Sequence, residues 1–278
     1  MSCNARDAAS LAQALGIDLV VTDHHQLEGA LPHAAAIINP KQEAAPYPGR
    51  DLAGAGVAFK LAWALTGSVE DLDLAALGTI ADIVPLRREN RVLAALGLEE
   101  MRRQPRIGLR ALASVAGIDI GKLVAENVAF QIGPRLNAAG RLGDGIASLE
   151  LLLTESYADA VRMASDLNKA NQERRAIEKR IFDQAVEMLE SAGEPPGRSI
   201  VLAHREWHPG VIGIVASRVV DRFYRPTILI SLKDGIGKGS GRSIAEFNLY
   251  EGLKLCDPLL LSYGGHRYAA GISVKESD

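Results

Sequence analysis

The chain has 278 residues, 47% of them hydrophobic and 23% charged, with a formal net charge of −3 at pH 7. That balance excludes a disordered chain and gives no global basic signal, so any contact with a polyanion has to come from local patches. Cys3 and Cys256 make neither a disulfide framework nor a zinc set and suit a reducing cytoplasm, and no run reaches the ~18 apolar residues of a membrane span.

Ala8 to Leu15 reads as a helix stopped by Gly16. Ile17 to Val21 is a short β-branched run, a buried parallel strand by pattern, and it ends on Asp23, His24 and His25. Ligands of open α/β sheets collect at the carboxyl ends of strands, and a carboxylate with neutral imidazoles suits a divalent ion such as Mn²⁺. Adjacent histidines leave a strand in different directions, so they serve two metals, or one metal and a substrate. An isolated Asp-His-His is otherwise a polar turn. A parallel strand also needs a neighbour fed by an earlier crossover, and the sheet reads as though its first βαβ units lie upstream.

Ala36 to Asn39 is a second short strand ended by Pro40, and Pro46 to Gly49 is a turn. Gly54 to Leu65 is an apolar helix. Leu72 to Leu86 is a second helix of small and apolar residues, with Asp82 set among Ile80, Ala81, Ile83 and Val84. A carboxylate there is either exposed ahead of the Pro85 stop or held by a partner. Arg87 to Arg110 is rich in arginine, which a solvated helix face explains better than a phosphate track. Around Arg135 and Arg141, the glycines 133, 140 and 143 form a glycine-rich segment whose backbone can approach an anion forked by the guanidiniums. A glycine-rich turn with surface arginines is the plainer alternative.

Glu155 to Ala192 has helical periodicity throughout, and Pro195-Pro196-Gly197 then breaks it. Three segments follow: a domain over 1–154, a connecting helix over 155–192, and a second domain over 193–278. The second opens with a strand at Ser199 to Leu202, a helix at Val211 to Phe223 and a strand at Thr227 to Leu232. His204 and His208 have the i, i+4 spacing of a metal pair. Pro209 and the flanking strand place them in a loop instead, where free backbone N–H groups near His208 offer an anion site. From Gly235 to Ser243 glycine alternates with other residues, which clears one strand face for a backbone or a nucleic-acid strand. Lys238, Ser240 and Arg242 supply a cation, a hydroxyl and a bidentate fork. Gly264-Gly265-His266 reads as a tight turn before a small-residue strand at 269–271.

Several of these strings carry a resemblance. Val-Val-Thr-Asp-His-His (20–25), Ala-Ile-Ile-Asn-Pro-Lys (36–41), Asp-Leu-Ala-Gly-Ala-Gly-Val-Ala-Phe-Lys (51–60) and Gly-Thr-Ile-Ala-Asp-Ile-Val-Pro-Leu (78–86) resemble the DHH phosphoesterase superfamily. Pro-Arg-Leu-Asn-Ala-Ala-Gly-Arg (134–141) is similar to its single-strand-specific exonuclease branch. Ser-Gly-Arg-Ser (240–243) with Gly-Gly-His-x-x-Ala-Ala-Gly (264–271) looks like the DHH-associated domain. The likeness covers nearly the whole chain. It implies an α/β fold in which a partial parallel-sheet DHH domain is joined by a long helix to a smaller α/β DHH-associated domain.

The resemblance also implies 5′-to-3′ hydrolysis of single-stranded DNA to 5′-mononucleotides, in repair and recombination, with two Mn²⁺ or Mg²⁺ ions. Asp23, His24, His25 and Asp82 would be the ligands, with Asp23 ligating or orienting the histidines. Arg135 foremost, then Arg141, would cradle the 5′ phosphate with Ser240 and Arg242, and His266 would meet the scissile phosphate. Asn137, His208, Lys238, Gly241, Ser243, Gly264 and Gly265 would complete the substrate surface. Partners would be single-stranded DNA, a helicase and a single-strand-binding protein, with no membrane. The superfamily's upstream Asp-rich motifs are missing from this sequence, so it is expected to be an incomplete exonuclease whose own activity is open. Two alternatives stand: a DHH enzyme acting on short oligonucleotides or small phosphate esters, and a non-catalytic nucleic-acid-binding remnant.

Overall fold

A computed structural model describes residues 6–27, 30–43, 47–191 and 197–278. The chain divides into two compact units, Met1–Ala139 with Gly145–Asn168, and Gly140–Asp144 with Lys169–Asp278.

In the first unit, α1 (Arg6–Ala14) ends before Gly16, whose φ of +67° is a left-handed turn that glycine adopts without a Cβ clash. Strand β1 (Val20–Thr22) pairs in parallel with β2 (Ala36–Ile38), Val21 opposite Ile37. The strand is shorter than the apolar run. Ile17 and Val20 are exposed and only Val21 is fully buried, because the ladder is set by its one partner strand rather than by composition.

Helices α2 (Gly54–Thr66), α3 (Leu72–Ala81), α4 (Arg88–Arg103) and α5 (Ile107–Val115) follow. They pack through small residues: Gly78 lies against Ala55, and Gly97 against Ala76 and the Leu72 backbone, so side chains there would force the helices apart. Helix α3 stops at Ala81 rather than running to Leu86, because the chain turns left-handed at Ile83 (φ +54°) ahead of Pro85. The arginine-rich segment is tied into the fold. Arg106 bridges Asp71 and the buried Asp73 at 2.7 Å each, and Arg102 donates to the Leu123 carbonyl.

A short α6 (Ala125–Asn127) leads through one wide turn at Val128–Ile132 into α7 (Gly133–Leu142) and then α8 (Ile146–Leu153). The glycine-rich segment around Arg135 and Arg141 is therefore helical, which removes the alternative of a glycine-rich turn. Glycine lowers helix propensity, but packing overrides it: Gly133 sits against Ala81, where a Cβ would press at 3.1 Å. The core of this unit includes Met101, Leu109, Leu112, Leu123, Ile132 and Leu151.

Helix α9 (Tyr157–Ser191) belongs to both units. Ala160, Ala164 and Leu167 enter the first core, whereas Ile181 and Ala185 enter a second with Ile200, Trp207 and Val215. The break read at Pro195-Pro196 lies outside the described residues; packing divides the helix internally, because one apolar stripe serves two cores.

The second unit is a five-stranded sheet of order β3-β4-β5-β7-β6, built from β3 (Ile200–His204), β4 (Thr227–Lys233), β5 (Ile236–Arg242), β6 (Leu260–His266) and β7 (Ala269–Lys275). Helix α10 (Ile212–Phe223) makes the crossover between parallel β3 and β4, and α11 (Leu249–Leu255) precedes β6. Asp234-Gly235 closes the β4–β5 hairpin with φ of +52° and +77°, the geometry for which Asp-Gly is a strong signal.

Two expectations change here. The alternate glycines of β5 do not open a face to nucleic acid. Gly237, Gly239 and Gly241 point at Ile230, Ile272 and Leu249, leaving room for an apolar core, while Lys238, Ser240 and Arg242 take the opposite face. Gly264 and Gly265 are not a tight turn but the end of β6, opposite Gly271 and Ala270. At Gly265 (φ +144°) a Cβ would collide with the Ala269–Ala270 backbone. No helix among the described residues is long and apolar enough to cross a membrane.

Candidate metal centre and anion pocket

Asp23 follows β1 directly. Its N–H still bonds the Ile38 carbonyl, which fixes the carboxylate at the sheet end with only 7% of the residue exposed. Oδ1 of Asp23 accepts from the backbone of His24 (2.7 Å) and of His25 (3.1 Å), and lies 2.7 Å from His25 Nδ1. A ring nitrogen facing a carboxylate carries the proton, so His25 presents Nε2 as its lone pair. Asn39 steadies the same turn, its Nδ2 donating to the His25 carbonyl at 3.0 Å. The His24 ring rests on Gly54 at the start of α2, where a Cβ would lie 3.2 Å from Cδ2.

Asp82 caps α3 and brings Oδ2 to 3.7 Å from His24 Nδ1. That is too long for a hydrogen bond. Two atoms each about 2.0–2.2 Å from one ion stand roughly 3–4 Å apart, so the spacing fits shared ligation. The ligand atoms of Asp23, His24 and His25 lie within 4.8 Å of one another. His24 is held below the ordinary histidine pKa, first by burial and then by His25, against opposing pulls from Asp82 and Asp23. It is therefore neutral, the form that ligates. Carboxylates with neutral imidazoles fit a divalent ion such as Mn²⁺.

The second unit holds a different arrangement. Arg242 donates from Nη1 to Ser240 Oγ (3.2 Å) and to the Gly241 carbonyl (2.8 Å). Arg141 reaches the Gly210 carbonyl at 3.4 Å. Both are pulled below the ordinary arginine pKa, first by burial, then by a like charge: Arg174 for Arg141, and Arg141 for Arg242. Among the described residues neither guanidinium has a salt bridge. Guanidiniums do not deprotonate in proteins, so two neighbouring cations, Arg141 exposed and Arg242 half-buried, with Glu178 offsetting Arg141 only in part, leave positive charge that suits an anion. Gly213, in the first turn of α10, packs on both Ser240 and Arg242, where a Cβ would lie 2.8 Å from Ser240 Oγ, and the helix N-terminus adds partial positive charge. His208 Nδ1 accepts from the Gly210 N–H at 3.1 Å, leaving Nε2 as the donor; His204 Nδ1 likewise accepts from the Glu206 N–H.

Arg135 belongs to the first unit. It bonds Asn168 Oδ1 (3.0 Å) and the Gln131 carbonyl (2.8 Å), all in the first unit. Arg141 shares the second unit with Ser240 and Arg242. Asn137, Lys238, Gly264 and His266 are exposed, Gly241 faces the apolar core, and Ser243 Oγ donates to the Phe247 carbonyl. The sequence reading missed Asn39, Gly54 and the acid beneath the arginines. Glu178 accepts from Arg174 (2.8 Å) and Arg218 (3.1 Å), and only its helical spacing from Arg174 hinted at a pair.

Residues 1–83 match the model of the DHH family N-terminal domain, and residues 197–278 that of the DHHA1 domain. These two matches define the class, a DHH-family chain that carries a DHHA1 domain. Over 274 residues the chain is 48% identical to the single-stranded-DNA-specific exonuclease RecJ of Bacillus subtilis, covering 97% of this chain and 35% of the relative. For RecJ of Escherichia coli the identity is 41%, over 95% and 50%. The crystal structure of RecJ in complex with Mn²⁺ from Thermus thermophilus matches with a TM-score of 0.88 at 37% identity, over 99% of this chain and 41% of that one. A crystal structure of exonuclease RecJ bound to manganese matches at 0.83 and 36%, over 99% and 69%. The chain belongs to the RecJ family. It spans half or less of the length of these curated relatives.

Proposed function

We propose that this chain is the catalytic portion of a single-stranded-DNA-specific exonuclease that starts at a 5′ end and releases 5′-mononucleotides. The observation that carries the polarity is the pair of neighbouring guanidiniums, exposed Arg141 and half-buried Arg242, without a salt bridge among the described residues and beside Ser240. A terminal phosphate carries more charge than an internal diester, and a paired-arginine pocket favours it. Mn²⁺ or Mg²⁺ would be held by His24, His25 and Asp82 with Asp23, and when bound would supply a hydroxide at neutral pH and offset charge on the phosphate. Asp23 fixes the His25 tautomer, and Asp82 sets its carboxylate against His24. Arg141, Arg242 and Ser240 hold the end of the strand, with His208 adding an Nε2–H donor; Lys238 and His266 extend the phosphate contacts. The RecJ names of the relatives support single-stranded DNA as the substrate. A helicase and a single-strand-binding protein in the cytoplasm would supply such strands.

The test is equilibrium binding of 5′-phosphorylated and 5′-hydroxyl oligonucleotides without divalent ion. The phosphorylated strand should bind more tightly, and Arg242→Ala should remove about 1.5–3 kcal/mol of that preference. Equal binding of both strands by the unaltered chain would end the polarity reading.

A further inference from the structure

The first turn of α4 is bonded to the segment that leads into α2, through three consecutive side chains. Arg88 donates to the Pro48 carbonyl at 2.6 Å, Glu89 accepts from Tyr47 and Lys60, and Asn90 donates to the Asp51 carbonyl at 2.7 Å. The same Nδ2 of Asn90 also donates to the Pro85 carbonyl at 3.1 Å. One amide therefore joins two loops that are far apart in sequence. Each bonded carbonyl stands three residues from a wall of the metal centre. Asp51 precedes Gly54, on which the His24 ring rests, and Pro85 follows Asp82, whose Oδ2 lies 3.7 Å from His24 Nδ1.

Two features set this amide apart from a packing contact. Only its nitrogen is used: Asn90 is 4% exposed, and among the described residues its Oδ1 has no hydrogen-bond partner. A buried acceptor left unmade is unfavourable, so a side chain present only to fill space there would be apolar, or paired at both ends. The second feature is backbone strain. The loop that Asn90 holds at Pro85 is bounded by two left-handed residues that are not glycine, Ile83 (φ +54°) and Arg88 (φ +48°). Such conformations persist where surrounding bonds over-determine them, and they gather at functional sites. The bond to Pro85 is a side-chain tie on this loop, and so on the end of α3 that carries Asp82.

We infer that Asn90 is a positioning residue of the metal centre: its amide fixes the Asp82 loop against the entry to α2 and so sets the spacing between Asp82 and His24. The inference rests on the reading of Asp23, His24, His25 and Asp82 as metal ligands. The probe is Mn²⁺ alone, added to the whole chain and followed by calorimetry and by the paramagnetic resonance of the bound ion. Asn90→Leu keeps the shape and removes both N–H donors, and Asn90→Ala removes them with less bulk. Both should weaken Mn²⁺ binding about tenfold, as loss of a group that orients a ligand does, and both should change the resonance line shape. Met101→Ala, a core truncation toward the other end of α4, controls for lost stability: it should lower the melting temperature and leave affinity and line shape as they are. In an Asp82→Ala background, Asn90→Leu should cost much less than tenfold, because the ligand it positions is gone. Unchanged affinity in both Asn90 variants, the full loss in the Asp82→Ala background, or an equal loss in Met101→Ala would overturn the inference. Failure of the underlying centre looks different: Asp82→Ala and His24→Ala would then leave Mn²⁺ binding unaffected, and the inference would fall with it.

Discussion

Ile83 holds a left-handed backbone, φ +54°, directly after Asp82, and its side chain is 70% exposed. For a β-branched residue this conformation costs about 1–2 kcal/mol, and little packing offsets it. Asparagine tolerates the left-handed region, so Ile83→Asn should stabilise the chain by about 0.5–1 kcal/mol in urea unfolding. A destabilised variant would show that the Ile83 side chain contributes more than its exposure indicates. Asp23 has the opposite character, since one of its oxygens organises both histidines. Asp23→Asn keeps an acceptor but loses the charge that holds the His25 proton, and should weaken Mn²⁺ binding about 10–100-fold by calorimetry. Unchanged affinity would reduce Asp23 to a turn residue. Residue types offered the Asp-His-His ligand reading beside a plain polar turn, because ligand preferences are intrinsic to side chains, and the family resemblance decided between the two. The supports, Asn39 and Gly54, were not legible: their roles depend on which distant segment folds against them.

At the scale of elements, the alternating glycines of β5 were visible in sequence and their direction was not. Period two assigns residues to two faces without saying which face meets the core. The decision came from Ile230, Leu249 and Ile272, which fill the space over the glycines. Gly239→Val should therefore cost about 1–3 kcal/mol, because its Cβ would lie 2.5 Å from Ile272, whereas Lys238→Val should stay within about 0.5 kcal/mol. Equal effects in urea titrations would contradict this assignment of faces. In helix α7 too the sequence left the role of a glycine open, and Gly133 permits close packing on Ala81.

A second contact between elements gives a pH signature. Tyr47, Lys60 on α2 and Glu89 on α4 form one cluster, Tyr47 donating to Glu89 at 2.5 Å and Lys60 bonding both. Burial alone would raise the Glu89 pKa, but Lys60 and Tyr47 outweigh it and hold the group below its ordinary 4.5. The unfolded chain then binds this proton more readily than the folded one, so the stabilisation is complete above pH 4.5 and is lost as pH falls through the folded value. Glu89→Gln should flatten that part of the stability–pH curve and leave the rest unchanged. A curve equally steep in the variant would assign the acid sensitivity to other carboxylates.

For the whole molecule, a net charge of −3 rules out binding of DNA by bulk attraction. The cations available to a strand in the second unit are few and local: Arg141 and Arg242 at the pocket, Lys238 beyond it, then Arg180 and Lys233. The seven arginines between Arg87 and Arg110 do not change this view, because Arg102 and Arg106 already bond carbonyls and carboxylates within the fold. Each phosphate neutralised on a single strand contributes about −0.7 to the slope of log affinity against log salt, so three to five contacts give roughly −2 to −3.5. A twelve-nucleotide 5′-phosphorylated strand, titrated at several salt concentrations without divalent ion, should fall in that range. Arg242→Ala and Lys238→Ala should each make the slope shallower, by about 0.7 for one contact. A much steeper slope, untouched by these substitutions, would mean that the strand follows a basic track outside the second unit.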